Sequence, residues 1–406
     1  MVALRFKNII IYLISAGMIL STGSIYQHMY GMDTFPILTI LFMTLFIFID
    51  IILKKKNIEI SFSGLLGMLF LIIIPFLSDF INFVQSFQIT FFHIVVITLS
   101  FLLGQRTREK IFNAYLNLIV ILALISLGYF FLNIFFGIDS ILNPIIFDHP
   151  THPGVSWKTY PLWSTINLKL GIFIRNESIF FEPGAYVVHL IISIMLATKY
   201  KKNSHSLLLL GTLVTTFSTT AYLFIIFYLV FQLFYKQFRV IKFKYLFMFF
   251  IFLFVSLNIA DRKIEGQHWS LLQHVSKTLF SKFTPNNTSY SSFKSRSMYW
   301  VDASRMFIEN VFLGNGHYST HTSKLQRVNS SSSLVGLVAE FGLFGIFCIF
   351  LYIRFNMVFK IFSVPITFIW LNGEFMAYTI LLLFILGHQG DIFFRSFLTK
   401  KKFAIS

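Results

Sequence analysis

Apolar runs of about 20 residues, rich in Phe, Ile and Leu, recur along the chain and leave it few possible folds. A run of that length and composition is stable only where hydrocarbon surrounds it, and there the backbone must bond to itself, so each run becomes a helix. The composition agrees: 56% of the 406 residues are hydrophobic and 12% charged, whereas soluble domains carry roughly 25% charged residues. The first run, Ile9 to Ile25, has no small-residue cleavage site after it and is followed by further runs, so it reads as a retained span and not a cleaved signal. The lone cysteine, Cys348, lies in an apolar run and excludes a disulfide framework or a cysteine metal site.

Short loops carry the sidedness. Arg5 and Lys7 precede the first span, and Lys54-Lys55-Lys56 follows the second, from about Phe35 to Leu53. Arg106, Arg108 and Lys110 follow the fourth, and Lys199, Lys201 and Lys202 follow the span near Ile179 to Thr198. Lys236, Arg239, Lys242 and Lys244 form another cluster, and Lys400-Lys401-Lys402 lies near residue 406. The loops Tyr26 to Thr34 and Asp79 to Ser86 hold no Lys or Arg. The positive-inside rule then puts the clusters and both termini in the cytoplasm. The surplus of 33 Lys+Arg over 16 Asp+Glu, net +17, is accounted for largely as loop charge, and no nucleic-acid partner is expected. The Asp139 to Glu177 segment and a polar insert of about seventy residues, Asp261 to Ser330, face outward.

Leu207 to Tyr235 has inside-type charges at both ends yet is generous for one helix and short for two. Two short helices meeting near Ser218-Thr219-Thr220 reconcile these facts, with irregular backbone covered by protein or a cavity; one long tilted helix is the alternative. The expected fold is an all-α, polytopic integral membrane protein of about twelve transmembrane helices with a large, partly helical outside loop. Residues 1–260 form the first helices, with outside loop 138–178; 261–330 form the large loop; 331–406 form the last helices.

The polar groups cluster in three places. Arg175-Asn176-Glu177-Ser178-Ile179-Phe180-Phe181-Glu182-Pro183-Gly184 lies where an outside loop re-enters the membrane. Pro183 suits a first helical position and Glu182 the positive end of the helix dipole. A helix-starting device alone needs neither Arg175 upstream nor His189 two turns into the span, and ionisable groups inside a membrane usually face a polar cavity. The insert adds Arg262, Arg296, Arg305, Arg327, His268, His274, His317 and His321, a mixture suited to holding an anion at a membrane surface. Residues Arg296 to Leu313, including Tyr299 and Trp300, read as an amphipathic helix that breaks at Gly314-Asn315-Gly316, a turn able to offer amide donors to an anion. A further span runs through Glu340-Phe341-Gly342-Leu343-Phe344-Gly345, where small residues allow close helix packing and Glu340 needs a partner or a polar cavity.

Three blocks in this order resemble the bacterial O-antigen polymerase family (Wzy-type) and the related O-antigen ligases. They are Arg175 with Phe180-Phe181-Glu182-Pro183-Gly184, Arg296 with Trp300 and Gly314-Asn315-Gly316, and the span from Glu340 to Gly345. Ser218-Thr219-Thr220-Ala221 resembles the Ser/Thr-rich interruption of those proteins. The likeness covers roughly the second half of the chain. Ligases carry a His-Asn pair before the last block, where this chain reads Asn329-Ser330-Ser331-Ser332-Ser333, so His317 or His321 would have to supply the imidazole.

The resemblance implies a GT-C-like membrane glycosyltransferase in the bacterial inner membrane with a periplasmic active site. Its substrate would be an oligosaccharide repeat unit linked through pyrophosphate to undecaprenol, its surroundings membrane lipid, and its further partner a chain-length regulator protein. The growing glycan would pass from its lipid pyrophosphate to the next lipid-linked unit. Such a leaving group needs its charge held more than it needs a cofactor or metal, and arginine forks hold diphosphates by bidentate bonding. Arg175 and Arg296, with Arg305, are therefore expected to bind the pyrophosphate, and Glu182, His317 or His321 to take the acceptor proton. Tyr299, Trp300, Gly314, Gly316 and Glu340 are expected to line the substrate. Trp157, Lys158, Tyr160 and Trp163 in the first outside loop would stack on sugars or, more simply, anchor at the membrane interface. A ligase acting on lipid A-core and a lipid-oligosaccharide flippase are the alternatives. The flippase needs two repeated halves, which this chain lacks.

Overall fold

The computed structural model describes residues 2–22, 24–30, 34–54, 62–82, 87–138, 141–148, 156–167, 175–180, 182–234, 301–316, 333–371 and 380–402. The chain separates into two compact units, one formed by Met1–Thr22, Met32–Tyr115 and Ser295–Ser406, the other by Gly23–Gly31 and Leu116–Lys294.

The first unit is helical. It contains α1 (Val2–Leu20), α3 (Thr34–Lys54), α4 (Phe62–Ile81), α5 (Phe87–Leu102) and the opening of α6 (Gly104–Phe136), with α2 (Ile25–Tyr30) belonging to the second unit. After these come α10 (301–309), α11 (Ser333–Phe355), a 3-10 turn (Met357–Phe362), α12 (Ser363–Leu371) and α13 (Ile380–Lys402). α1 and α3 lie antiparallel: a Cβ on Gly17 would strike the Thr39 side chain, and Lys7 pairs with Asp50 at the other end. On α3 the side chains of Ile37, Leu41, Leu45, Phe48 and Ile52 share one helical face and stay exposed. A continuous apolar stripe of this kind suits a face turned to lipid. Among the described residues, helices at Thr34–Leu53, Gly64–Ile81, Gly104–Asn133 and Gly336–Phe355 are long and apolar enough to cross a membrane. The expected count of about twelve spans extends beyond them to shorter apolar helices and to runs outside the described residues.

Two boundaries differ from expectation. The helix of the first expected span ends at Leu20, where Ser21 and Thr22 turn their hydroxyls back onto the Met18 carbonyl, and Ile25 begins a separate short helix. Arg106, Arg108 and Lys110, expected in a cationic loop, lie on the first turns of α6, and Arg108 is fully buried.

The second unit holds the rest of α6, the segment between α6 and α7, α7 itself (Pro183–Lys199), α8 (Asn203–Thr215) and α9 (Thr219–Phe234). That segment adds strands to a mainly helical chain: β1 (Ile145–Asp148), β2 (Ser156–Tyr160) and β3 (Trp163–Asn167) pair antiparallel in that order. Pro161-Leu162 makes the tight turn between β2 and β3, with Leu162 at a φ of 61°. Trp157, Tyr160 and Trp163 are buried, and Trp163 stacks on Tyr129 of α6 with ring centroids 5.7 Å apart. They are core residues of this lobe, which corrects both the sugar-stacking and the interfacial-anchor expectations.

The broken pair expected near Ser218 is present. α8 ends at Thr215 and α9 starts at Thr219. Between them the Thr216 hydroxyl bonds back to the Leu213 carbonyl, and Phe217 turns at a φ of 49°. α9 then doubles back, because the Tyr228 hydroxyl lies beside Thr198 near the end of α7 and Ser206 near the start of α8.

Candidate functional site

In the second unit the re-entry segment before α7 is pinned from several elements. Asn176, Glu177, Ser178, Ile179 and Phe180 are all buried. Ser164 of β3 donates its amide to the Ser178 carbonyl at 2.6 Å and its hydroxyl to the Phe180 carbonyl at 3.1 Å. The Ile25 amide of α2 donates to the Ile179 carbonyl at 2.8 Å. Asn176 reaches the α8–α9 break, donating its amide to the Thr215 carbonyl at 3.1 Å and its Nδ2 to the Thr215 hydroxyl at 2.9 Å. The same Nδ2 donates to Ser126 of α6, whose hydroxyl meets the Tyr186 phenol of α7 at 3.0 Å. Buried backbone without regular structure survives only when its polar groups are answered in this way.

Arg175 stands next to this knot. Its guanidinium lies near enough to the Tyr222 phenol, one turn into α9, to act on it electrostatically. Its Nε is buried and has no hydrogen-bond partner among the described residues. An orphaned buried donor costs about 1–3 kcal/mol, so such groups usually meet a ligand or a water. α7 and α8 are antiparallel, joined by the Tyr200–Lys202 turn, so the start of α7, the end of α8 and the start of α9 share one end of the unit. Two helix N-termini therefore open at the end where Arg175 sits. Their unsatisfied amides and dipoles add to its positive potential.

Glu182 precedes Pro183 at the first turn of α7, as expected, in an extended conformation with φ −143° and ψ 148°. Its carboxylate makes no capping bond to its own helix. A capping role for the side chain is thereby removed, and it is half-buried at the same end of the unit. His189 is fully buried and stacks on Phe180, with centroids 4.5 Å apart.

In the first unit the Gly-Asn-Gly turn and the Glu340 block come together, for a reason the sequence reading missed. α11 is interrupted at Gly342, whose φ of 57° and ψ of −133° lie outside any helix. The span expected to run straight through Glu340 to Gly345 instead folds at that residue, so closely that a Cβ on Gly345 would collide with the Leu337 backbone. The turn after α10 fills the bend. The amide of Asn315 donates to Ala339 at 3.2 Å, that of Gly316 to Glu340 at 2.9 Å, and that of Leu343 to Val311 at 2.8 Å. A Cβ on Gly314 would land on the Glu340 carbonyl, and one on Gly342 would strike the Val311 carbonyl. The end of α4 closes the joint: Ser78 bonds the Glu340 carbonyl and the Asn82 Nδ2 bonds the Gly314 carbonyl, at 3.3 and 3.1 Å. The amides of Asn315 and Gly316 are thus committed to carbonyls, which corrects the expectation that this turn offers donors to an anion. Glu340 itself is wholly buried at the joint.

Arg305 projects from α10 with its side chain 73% exposed and only a 3.8 Å approach to Asp302. Arg296, Tyr299, Trp300, His317 and His321 lie outside the described residues. The buried Asn176, Ser126 and Thr215 were not expected at the site. The only sequence signal for them was polar residues inside otherwise apolar runs.

No curated protein and no solved structure matches the chain. Residues 205–350 match the family model described as O-antigen ligase. That stretch contains the α8–α9 break, the Gly314-Asn315-Gly316 turn and the Gly342 bend, and stops short of the Arg175–Glu182 block. Over this third or so of its length, a membrane protein of mainly helical architecture is similar to the O-antigen ligase family, in a likeness that does not separate ligases from polymerases.

Proposed function

We propose that this protein is a glycosyltransferase of the bacterial inner membrane that polymerises lipid-pyrophosphate-linked oligosaccharide repeat units at the periplasmic face, with both termini in the cytoplasm. The observation that carries the reading is the orphaned Nε of Arg175 beside the α8–α9 break, at an end of the unit where two helix N-termini add positive potential. The family match over residues 205–350 supports the same class of chemistry.

In the reaction, the bond between the anomeric carbon of the growing glycan and its phosphate oxygen breaks. A bond forms between that carbon and a hydroxyl of the incoming lipid-linked unit. The departing lipid pyrophosphate takes the electron pair, and Arg175 holds the resulting charge, work for which a guanidinium fork is better shaped than an ammonium. A donor aimed at developing charge in a water-poor site contributes about 3–4 kcal/mol to such a step. The acceptor hydroxyl proton goes to Glu182, a carboxylate its own helix does not use as a cap, or to His317 or His321. Arg296 and Arg305 take the pyrophosphate-binding roles the resemblance implies. Tyr299 and Trp300 keep the substrate-lining roles, while Gly314, Gly316 and the buried Glu340, for which the resemblance implied such roles too, serve by shaping the joint.

Transfer to lipid A-core is the second reading, favoured by the description of the matched family. The Asn329 to Ser333 run in place of a His-Asn pair favours polymerisation. Purified protein supplied with a lipid-linked repeat unit alone distinguishes them. A ladder of lengthening lipid-linked products supports polymerisation. Product that forms only when lipid A-core is added supports ligation.

A further inference from the structure

Asp391 and His388, on α13, are buried with Arg108 of α6 in a network that the transfer chemistry does not use. Arg108 spends every nitrogen of its guanidinium. Its Nε donates to His388 Nδ1 at 3.2 Å, one terminal nitrogen donates to the Ser100 carbonyl at 2.6 Å, and the other pairs with Asp391. Arg395 donates to the second Asp391 oxygen at 2.6 Å, and Glu109 faces His388 Nε2 at 3.5 Å. With Nδ1 accepting from Arg108, His388 turns its Nε2 toward Glu109. Two arginines and two carboxylates then balance.

These contacts belong to one five-residue run, Gly387-His388-Gln389-Gly390-Asp391, and three helices each meet part of it. A Cβ on Gly387 would come within 2.5 Å of the Ser100 hydroxyl on α5. One on Gly390 would come within 2.7 Å of Leu71 on α4. His388 and Asp391 meet Arg108 on α6, and Phe112, one turn further along, packs edge-on against the His388 ring at 5.1 Å. Leu381 through Asp391 is buried without a break, so α13 is surrounded by protein over three turns. An under-compensated carboxylate in such a place is strongly destabilising, while glycines at i and i+3, one against α5 and one against α4, leave that face little side-chain bulk to fix its rotation.

We propose that Arg108 is the seating residue of α13: its guanidinium admits the run from Gly387 to Asp391 into the helix bundle and fixes the rotation at which both glycines meet their neighbours. The device is a charge-neutral lock, and α13 packs against α4 and α5 only when the lock is closed.

The test uses the full chain in membranes, with Cys348→Ser removing the native thiol and Phe70→Cys with Phe394→Cys reporting α4–α13 contact. Those two rings lie 5.8 Å apart, Phe394 one turn beyond Asp391 on α13. Cross-linking per full-length molecule is read after a short pulse of synthesis. Arg108→Gln should lower it about tenfold or more, since Asp391 loses its fully buried partner and keeps only the partly exposed Arg395. Adding Asp391→Asn to Arg108→Gln should restore most of it, because the buried charge that Arg395 alone only partly compensates is gone. Undiminished cross-linking in Arg108→Gln overturns the proposal, as does a loss that Asp391→Asn leaves unrepaired. If Arg108→Gln abolishes accumulation of the chain, recovery by the second substitution supports the lock and failure to recover contradicts it.

Discussion

Asn176 and Thr215 are joined twice, amide to carbonyl at 3.1 Å and Nδ2 to hydroxyl at 2.9 Å, which ties the segment carrying Arg175 to the point where α8 gives way to α9. The tether makes the break in the helix and the position of the arginine a single structural decision. Asn176→Ala removes the side-chain half, the bonds to Thr215 and to Ser126. A loss of about 1–3 kcal/mol is expected, read as a lower midpoint of thermal unfolding in detergent. Polymer formation should fall with it. Asn176→Ala with unchanged stability and product would mean that the tether holds nothing in place.

The bend at Gly342 is the second place where backbone decides. Gly342→Ala must put a side chain at φ 57° and ψ −133° and also against the Val311 carbonyl. Strain of this kind costs about 1–3 kcal/mol before the collision is counted. The variant should accumulate poorly or unfold well below wild type, and Gly314→Ala, blocked by the Glu340 carbonyl, should resemble it. Fluorescence-detected size exclusion of tagged protein gives the answer. A normal profile for either variant would reject the joint between the turn and α11.

Much of this architecture was legible in advance, and the exceptions have physical causes. The paired charges around Leu207 to Tyr235 demanded an even number of crossings, and the chain delivers a hairpin of two short helices. Pro183 after Glu182 marked a helix start, and α7 starts there. The bend at Gly342 was hidden because apolar side chains continue on both sides of it, and hydropathy does not register a dihedral angle. The strands β1 to β3 were hidden because alternation over four or five residues is too short to rise above a loop. Arg108 looked like loop charge because its partner, Asp391, lies 283 positions away.

Trp163 separates a core residue from a sugar platform. It is fully buried, between Tyr129 and Tyr160. Trp163→Ala should cost about 3–5 kcal/mol, the usual range for emptying such a site. Trp163→Phe should keep most of the stability and leave product formation near wild type. Loss of product from Trp163→Phe in a fully stable protein would return the residue to the substrate.

Arg305 offers the opposite case. Its exposed side chain and long approach to Asp302 predict that Arg305→Ala changes stability by less than about 1 kcal/mol. Any drop in turnover would then report a role toward substrate. Unchanged turnover would remove Arg305 from the binding set.

Arg175 decides the central question. With the full-length protein reconstituted in lipid and given a pyrophosphate-linked repeat unit, Arg175→Ala should lower the turnover rate by about a hundredfold or more. Arg175→Lys should recover only a part, because an ammonium cannot bond two phosphate oxygens as a fork does. Both proteins should unfold close to the wild-type temperature, since Nε makes no bond among the described residues. Turnover in Arg175→Ala within about twofold of wild type, far short of the loss that follows removal of a charge-stabilising donor, would contradict the assignment of the pyrophosphate site.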